Sequence, residues 1–239
     1  PVIEVVTNID LEHLDYYRDI AHVKSVFLEF VNRLPFYGVA VLCLDDDHVA
    51  QLLPHIRKRV LTYGLTEQAD LQAVKLRHED GRNVFTVRFR EKELGQISLN
   101  RPGRHLVYNS LAAVGVALEV DIDFAVIARA LENFQGVQRR LQVKGEAGGI
   151  LVVDDYGHHP TEIRATLRAL RSSFRENSGA FHVIFQPHRY TRTRDCFAQF
   201  IETFGECDHL ILTEIYSAGQ KPIEGIPGET LFQAIRHGA

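Results

Sequence analysis

The chain has 239 residues, 45% hydrophobic and 24% charged, with a net charge of −4. That composition carries a core for one large or two small domains and gives no support to nonspecific nucleic-acid binding. No run of about 18 apolar residues offers a membrane span, and no charged-then-apolar leader opens the chain, so neither a membrane nor a nucleic acid is an expected partner. Cys43, Cys196 and Cys207 are odd in number and far apart, which fits reduced thiols of a cytoplasmic protein better than a disulfide framework. A strand-like opening at Pro1 and the lack of any methionine lead us to expect a piece of a longer chain. The oligomeric state stays open.

In chain order, Val2 to Asn8 is a β-rich run. Ile20, Val23, Phe27, Phe30, Val31 and Leu34 recur at helical spacing and predict a helix from Leu14 to Leu34, ended by Pro35 and Gly38. Val39 to Leu44 is continuously apolar, as in a strand buried on both faces. Asp45-Asp46-Asp47 suits the start of a helix, placed over residues 48–59. This βαβα alternation predicts a parallel sheet with covering helices. Phe85, Val87 and Phe89 then alternate with polar residues, and Leu94, Ile97 and Leu99 follow across a polar turn, which predicts an antiparallel annex. Two helices are placed at 105–119 and 124–134, the first buried because it is apolar all round. Gln135 to Gln138 reads as a linker. A second βαβα series is then expected: a strand at 150–153, a helix from Pro160 to Phe174, a strand at 181–185, a helix at 193–204, a strand at 209–213 and a helix from Glu229.

Four polar stretches follow strand ends or precede helices, where open α/β sheets collect ligands. "DDYGHHPTE" (154–162) holds three carboxylates and two histidines. By itself it reads equally as a polar turn or a ligand site. Its adjacent histidines diverge and lack HExxH spacing, which argues against zinc. Asp154 and Asp155 point to opposite sides, one toward a ligand and one to a local partner, and Gly157 permits backbone geometry that other residues resist. "QPHRYTRTRD" (186–195) sets Arg189, Arg192 and Arg194 at a helix start, suited to a carboxylate or phosphate, or else forms a solvated basic turn. "TNIDLEHLDYY" (7–17) brings Asp10, Glu12, His13 and Asp15 as oxygen and imidazole donors for a hard cation, or is only an acidic helix start. "RPGRHLVYN" (101–109) is the weakest of the four.

Together with "FQGVQRRL" and "EIYSAGQKPIEG", these segments occur in the order seen in the Mur ligases of peptidoglycan synthesis, and the chain resembles that family over nearly its whole length. The resemblance implies an α/β fold: part of a P-loop-type central ATPase domain with its antiparallel annex over 1–135, then a truncated Rossmann-like C-terminal domain over 136–239. It implies ATP-dependent ligation of L-alanine to UDP-N-acetylmuramate through an acyl phosphate in the bacterial cytoplasm, with Mg²⁺, or Mn²⁺ in its place. Residue by residue, it implies that His13 helps hold the metal, that His105 and Asn109 face the adenine, and that Arg140 and Asp155 contact the nucleotide. It further implies that Tyr156, His158, His188, Arg189 and Arg192 line the amino-acid and acyl-phosphate side. Arg140, Asp155, His188 and Arg192 are the catalytic candidates. Asp154, His159 and Glu162 are expected to be structural support.

The sequence departs from the family pattern in three places. No GxxxxGK[ST] loop is present, Leu106 stands where many members carry Asn, and Gln220 stands where Glu is usual. Two other readings stay open. One is a sister ligase that attaches a peptide to the same sugar, against which Tyr156-Gly157 argues. The other is a non-catalytic binding module derived from a ligase.

Overall fold

A computed structural model describes residues 1–12, 16–79, 81–173, 179–225 and 228–238. The chain forms two compact units, Pro1–Gln135 and Gly136–Ala239.

The first unit is built on one six-stranded sheet, with strands in chain order: β1 (Ile3–Val6), β2 (Val39–Cys43), β3 (Arg59–Gly64), β4 (Leu71–Glu79), β5 (Arg82–Phe89) and β6 (Lys92–Leu99). Strands β1 to β4 pair in parallel, and β4, β5 and β6 pair antiparallel. Every residue of β2 is buried, because Val39, Val41 and Cys43 enter one core while Ala40 and Leu42 enter the other. Helix α1 (Ile20–Asn32) covers the second core through Val23 and Val31, and α3 (Arg104–Glu119) covers the first through Val107, Leu111 and Val114. Helix α4 (Phe124–Asn133) adds Ile127 to the first core.

Three expectations change in this unit. The helix expected from Leu14 starts at Ile20, where the Asp19 carboxylate accepts the His22 N–H at 2.7 Å as N-cap. The helix expected over 48–59 is only α2 (Asp47–Ala50), followed by a 3₁₀ turn at Leu53–His55. Pro54 has no N–H with which to extend the ladder, and the β-branched run after it forms β3 instead. The annex is continuous with the parallel sheet. Strand β4, unmarked in the sequence, pairs with β3 at Leu71 and Gln72 and then carries β5 on its other side.

In the second unit, β7 (Gln142–Ala147) and β8 (Ile150–Asp154) form an antiparallel hairpin, and β9 (His182–Phe185) and β10 (His209–Leu212) pair in parallel. Among the described residues these are separate two-stranded sheets, so β8 does not open a parallel series as the alternation suggests. The helices are α5 (Pro160–Ser173), α6 (Tyr190–Asp195), α7 (Phe197–Ile201) and α8 (Gly228–Gly238). Ile163, Leu167, Phe185, Cys196, Phe200, Phe204, Leu231 and Ile235 make the core. The helix expected over 193–204 is two helices, α6 and α7. Cys196 takes φ −102° and ψ 16°, ending one ladder and beginning the next. Helix α6 begins three residues earlier than expected, after Arg189 at φ 72°, and Phe200 of α7 is buried. No helix among the described residues is long and apolar enough to cross a membrane.

Candidate functional site

The β7–β8 hairpin delivers the first half of the site. Its pairing of Gln142 with Asp154 continues one step further, where the Leu141 N–H donates to Asp155 Oδ2 at 2.8 Å and the Tyr156 N–H donates to Arg139 O at 2.7 Å. Asp155 Oδ1 also accepts the Gly157 N–H at 2.7 Å. A Cβ on residue 157 would lie 2.8 Å from that oxygen and would displace the Asp155 carboxylate, so Gly157 serves for space rather than for an unusual dihedral. The neighbouring Asp154 pairs with Arg139 at 3.8 Å. Both aspartates therefore have local partners, and Asp155 is the one that staples the loop.

That staple sets the two arginines of the turn beside Tyr156. The Arg139 guanidinium lies 4.6 Å and the Arg140 guanidinium 5.9 Å from the Tyr156 ring centre, and Arg140 Nη1 donates to Glu162 Oε1 at 3.3 Å.

Glu162 is the hub of this loop. Its Oε2 accepts the N–H groups of His158 and His159 at 3.1 and 3.3 Å, reaching back from the third position of α5 as in a capping box. His159 is the matching N-cap: buried, it accepts the Thr161 N–H at Nδ1 (3.4 Å), and its Nε2 lies 3.7 Å from Cys196 Sγ. Burial pushes the Glu162 carboxyl up. The N–H of His158, the charge of His158, the N–H of His159 and the charge of Arg140 outweigh it, so its pKa lies below the ordinary 4.5.

A depressed folded pKa contributes stability that is present above the unfolded value and is lost as pH falls through the folded one. Replacing Glu162 with Gln is therefore expected to lower Tm at neutral pH, with the gap to wild type narrowing below about pH 4.5. A gap of constant size between about pH 7 and about pH 3 in thermal melts would refute the assignment.

The second half comes from the loop after β9. His188 sits opposite Tyr216 in a parallel bridge: the Arg189 N–H donates to Tyr216 O and the Tyr216 N–H to Pro187 O, each at 2.8 Å. Arg192 Nη1 donates to His188 O at 3.1 Å and lies 3.3 Å from His188 Nδ1. A guanidinium only donates, so Nδ1 is the acceptor and the ring proton sits on Nε2. Burial, and then the charges of Arg192, His158 and Arg189, lower the His188 pKa below 6.5 and keep the ring neutral. His158 has the opposite tautomer, since its Nδ1 donates to Tyr156 O at 3.1 Å. Arg189 is the N-cap of α6 at φ 72°, and its Nε is buried with no hydrogen-bond partner among the described residues. Gln220 accepts the Thr191 N–H at 3.2 Å and donates to Thr191 Oγ1 at 2.9 Å. The amide thus both accepts from and donates to Thr191.

Arg140, Asp155, Tyr156, His158, His188, Arg189 and Arg192 accordingly belong to the strand-end loops of the second unit. His105 and Asn109 belong to the first, one turn apart on α3, with Asn109 exposed. His13 lies outside the described residues. In the same stretch, Asp10 Oδ1 accepts the Leu11 N–H at 2.7 Å, and among the described residues no three His, Cys, Asp or Glu side chains group as a metal site. Glu162, expected as structural support, takes that role as the capping carboxylate of α5, with Arg140 as an added partner, while the contact of Tyr216 with His188 was not foreseen. The His-x-x-Glu spacing at the start of α5 is the local signal for the first; no local signal indicates the second.

Residues 1–117 match the family model of the Mur ligase middle domain, and residues 139–239 match that of the Mur ligase glutamate ligase domain. The chain is 55% identical over its whole length to the UDP-N-acetylmuramate--L-alanine ligase of Desulfotalea psychrophila and 52% identical to that of Geotalea daltonii, covering 52% of each. It thus spans about half the length of these curated relatives. In fold it is similar to the UDP-N-acetylmuramate-alanine ligase of Thermotoga maritima, with a TM-score of 0.76 at 24% identity over 99% of this chain and 49% of that one. It is also similar to MurF of Acinetobacter baumannii, with a TM-score of 0.78 at 21% identity over 100% of this chain and 49% of that one. The two strand-end loops thus sit in a domain order and a fold that both point one way: the chain belongs to the Mur ligase family.

Proposed function

We propose that this chain carries part of the active site of a ligase that joins L-alanine to UDP-N-acetylmuramate at the expense of ATP, by way of an acyl phosphate, in the bacterial cytoplasm. Residues 1–135 would belong to its central ATPase domain and 136–239 to its C-terminal domain. The observation that carries the reading is the cradle of Tyr156, His158, His188, Arg189 and Arg192 at the strand ends of the second unit, in a chain whose relatives bear that ligase name. The sister ligase and the non-catalytic module have no comparable observation in their favour.

ATP supplies the activation that a carboxylate, a poor acyl donor, lacks. What these residues contribute is position and charge. The buried, unpartnered Nε of Arg189 and the guanidinium of Arg192 suit an anion, either the amino-acid carboxylate or a phosphoryl oxygen. His188, neutral with its proton on Nε2, is suited to donate to an oxyanion. When His158 is deprotonated, its Nδ1–H on Tyr156 O leaves Nε2 as the acceptor, suited to take the proton that the attacking amine sheds. Arg140, set by the β7–β8 hairpin, is assigned to the nucleotide phosphates. Asp155 holds the loop that presents its neighbours, in addition to its assigned nucleotide contact. In the first unit His105 and Asn109 are assigned to the adenine. Mg²⁺, or Mn²⁺ in its place, is assigned to His13 with phosphate oxygens and water, and no step is derived through it.

The test is phosphate release by the whole protein with ATP and UDP-N-acetylmuramate across a panel of amino acids. L-alanine is expected to be preferred, while the 239-residue chain by itself turns over no ATP above background, since no GxxxxGK[ST] loop is present in it. Preference for a peptide, or turnover by the chain alone, would overturn the reading.

A further inference from the structure

Four aromatic rings run in a row through the site. Tyr156 meets His158 edge-on at 5.4 Å, His158 lies 6.1 Å from His188, and His188 stacks on Tyr216 at 5.4 Å with an interplanar angle of 29°. The first three are already assigned to substrate. Tyr216 is not, and it comes from a different loop, the one after β10.

Its position follows from strand register. The parallel pairing of β9 with β10 ends at Phe185 with Leu212 and resumes at His188 with Tyr216, three residues beyond Phe185 and four beyond Leu212. That one-residue offset places the Tyr216 ring over the His188 imidazole. The loop is held at both ends. Main-chain hydrogen bonds tie Tyr216 to Pro187 and Arg189, and Gln220, at the end of the turn closed by its own N–H on Ser217 O, clasps Thr191. Ala218 and Gly219 take the left-handed φ values that this turn needs, 49° and 83°. A side chain anchored in this way costs little further entropy to keep in place.

We infer that Tyr216 is a positioning residue: its ring fixes the plane of the His188 imidazole so that Nε2–H is aimed at the substrate oxygen, with Arg192 holding the opposite nitrogen. The ring is stacked on Tyr216 and met at Nδ1 by Arg192, so a change in its plane would disturb both contacts. Stacking needs only the ring, so the Tyr216 hydroxyl has no part in it. The inference rests on the reading of the cradle as the amino-acid and acyl-phosphate side of a ligase site.

The experiment has two arms. In the 239-residue chain, Tyr216→Ala is expected to shift the carbon-bound ring protons of His188 in ¹H–¹³C spectra and to move its titration midpoint, while Tyr216→Phe leaves both as in wild type. In the whole protein, Tyr216→Ala is expected to lower kcat/KM for L-alanine by about tenfold or more, mainly through kcat, with the KM for ATP and the Tm nearly unchanged, and Tyr216→Phe to stay within about twofold of wild type. Unaltered His188 resonances in Tyr216→Ala, a wild-type kcat/KM for L-alanine, or damage from Tyr216→Phe equal to that from Tyr216→Ala would each overturn the inference. If no variant of the whole protein, wild type included, uses L-alanine, the proposed function falls, and the spectra still decide whether Tyr216 sets His188.

Discussion

Arg192→Ala in the whole protein is expected to lower kcat/KM for L-alanine by roughly 10- to 100-fold, the range of about 1.5–3 kcal/mol for a hydrogen bond to a charged group. Two losses combine in this variant. The guanidinium charge leaves an anion-binding cradle, and the Nη1 contacts to His188 O and Nδ1, at 3.1 and 3.3 Å, disappear with it. The imidazole then has no donor facing Nδ1, and its outward proton is no longer assigned to Nε2. Arg192→Lys keeps the charge without the planar fork and is expected to recover only part of the loss. Steady-state kinetics across amino-acid concentration would check both variants. A near-normal kcat/KM in Arg192→Ala would remove this residue from the site. Because the effect runs through His188, an Arg192→Ala, Tyr216→Ala double variant is expected to lose less than the product of the two single losses.

Phe200→Ala is expected to cost the second unit about 3–5 kcal/mol, the usual range for truncating a buried aromatic side chain. Phe200 is 1% exposed, at the centre of the cluster of Ile163, Leu167, Phe185, Phe204 and Leu231, and its ring lies 5.7 Å from that of Phe185. The loss matters because a domain holds only about 5–15 kcal/mol in total. It also reaches the site. Phe200 N–H bonds to Cys196 O, Cys196 N–H bonds to Arg192 O, and Cys196 touches the buried His159 that caps α5. Truncation at Phe200 therefore removes packing beneath both strand-end loops. Urea or thermal unfolding of the 239-residue chain measures the effect, and Phe200→Leu, which refills most of the volume, is expected to cost well under half as much. A loss below about 1 kcal/mol in Phe200→Ala would mean that the cluster is not the core of this unit.

The sequence by itself determined the elements whose chemistry is local. The unbroken apolar run from Val39 reads as a strand covered on both faces, and the helices placed at 105–119 and 124–134 form over 104–119 and 124–133. It also determined which stretches were polar at strand ends, and through their order it pointed to the family.

Only the tertiary structure decided how these parts meet. Strand β7 reads Gln142-Val143-Lys144-Gly145-Glu146-Ala147, mostly exposed and without an apolar signal, and it exists because β8 pairs with it. That pairing is what brings Arg139 and Arg140 to Tyr156, 17 and 16 residues away along the chain. Glu162 was expected as structural support and is the junction of His158, His159 and Arg140, because a capping box and an ion pair converge on one carboxylate. Tyr216 meets His188 through a one-residue register offset between parallel strands. Register is set by main-chain hydrogen bonds between distant segments, and no side-chain pattern along either segment records it.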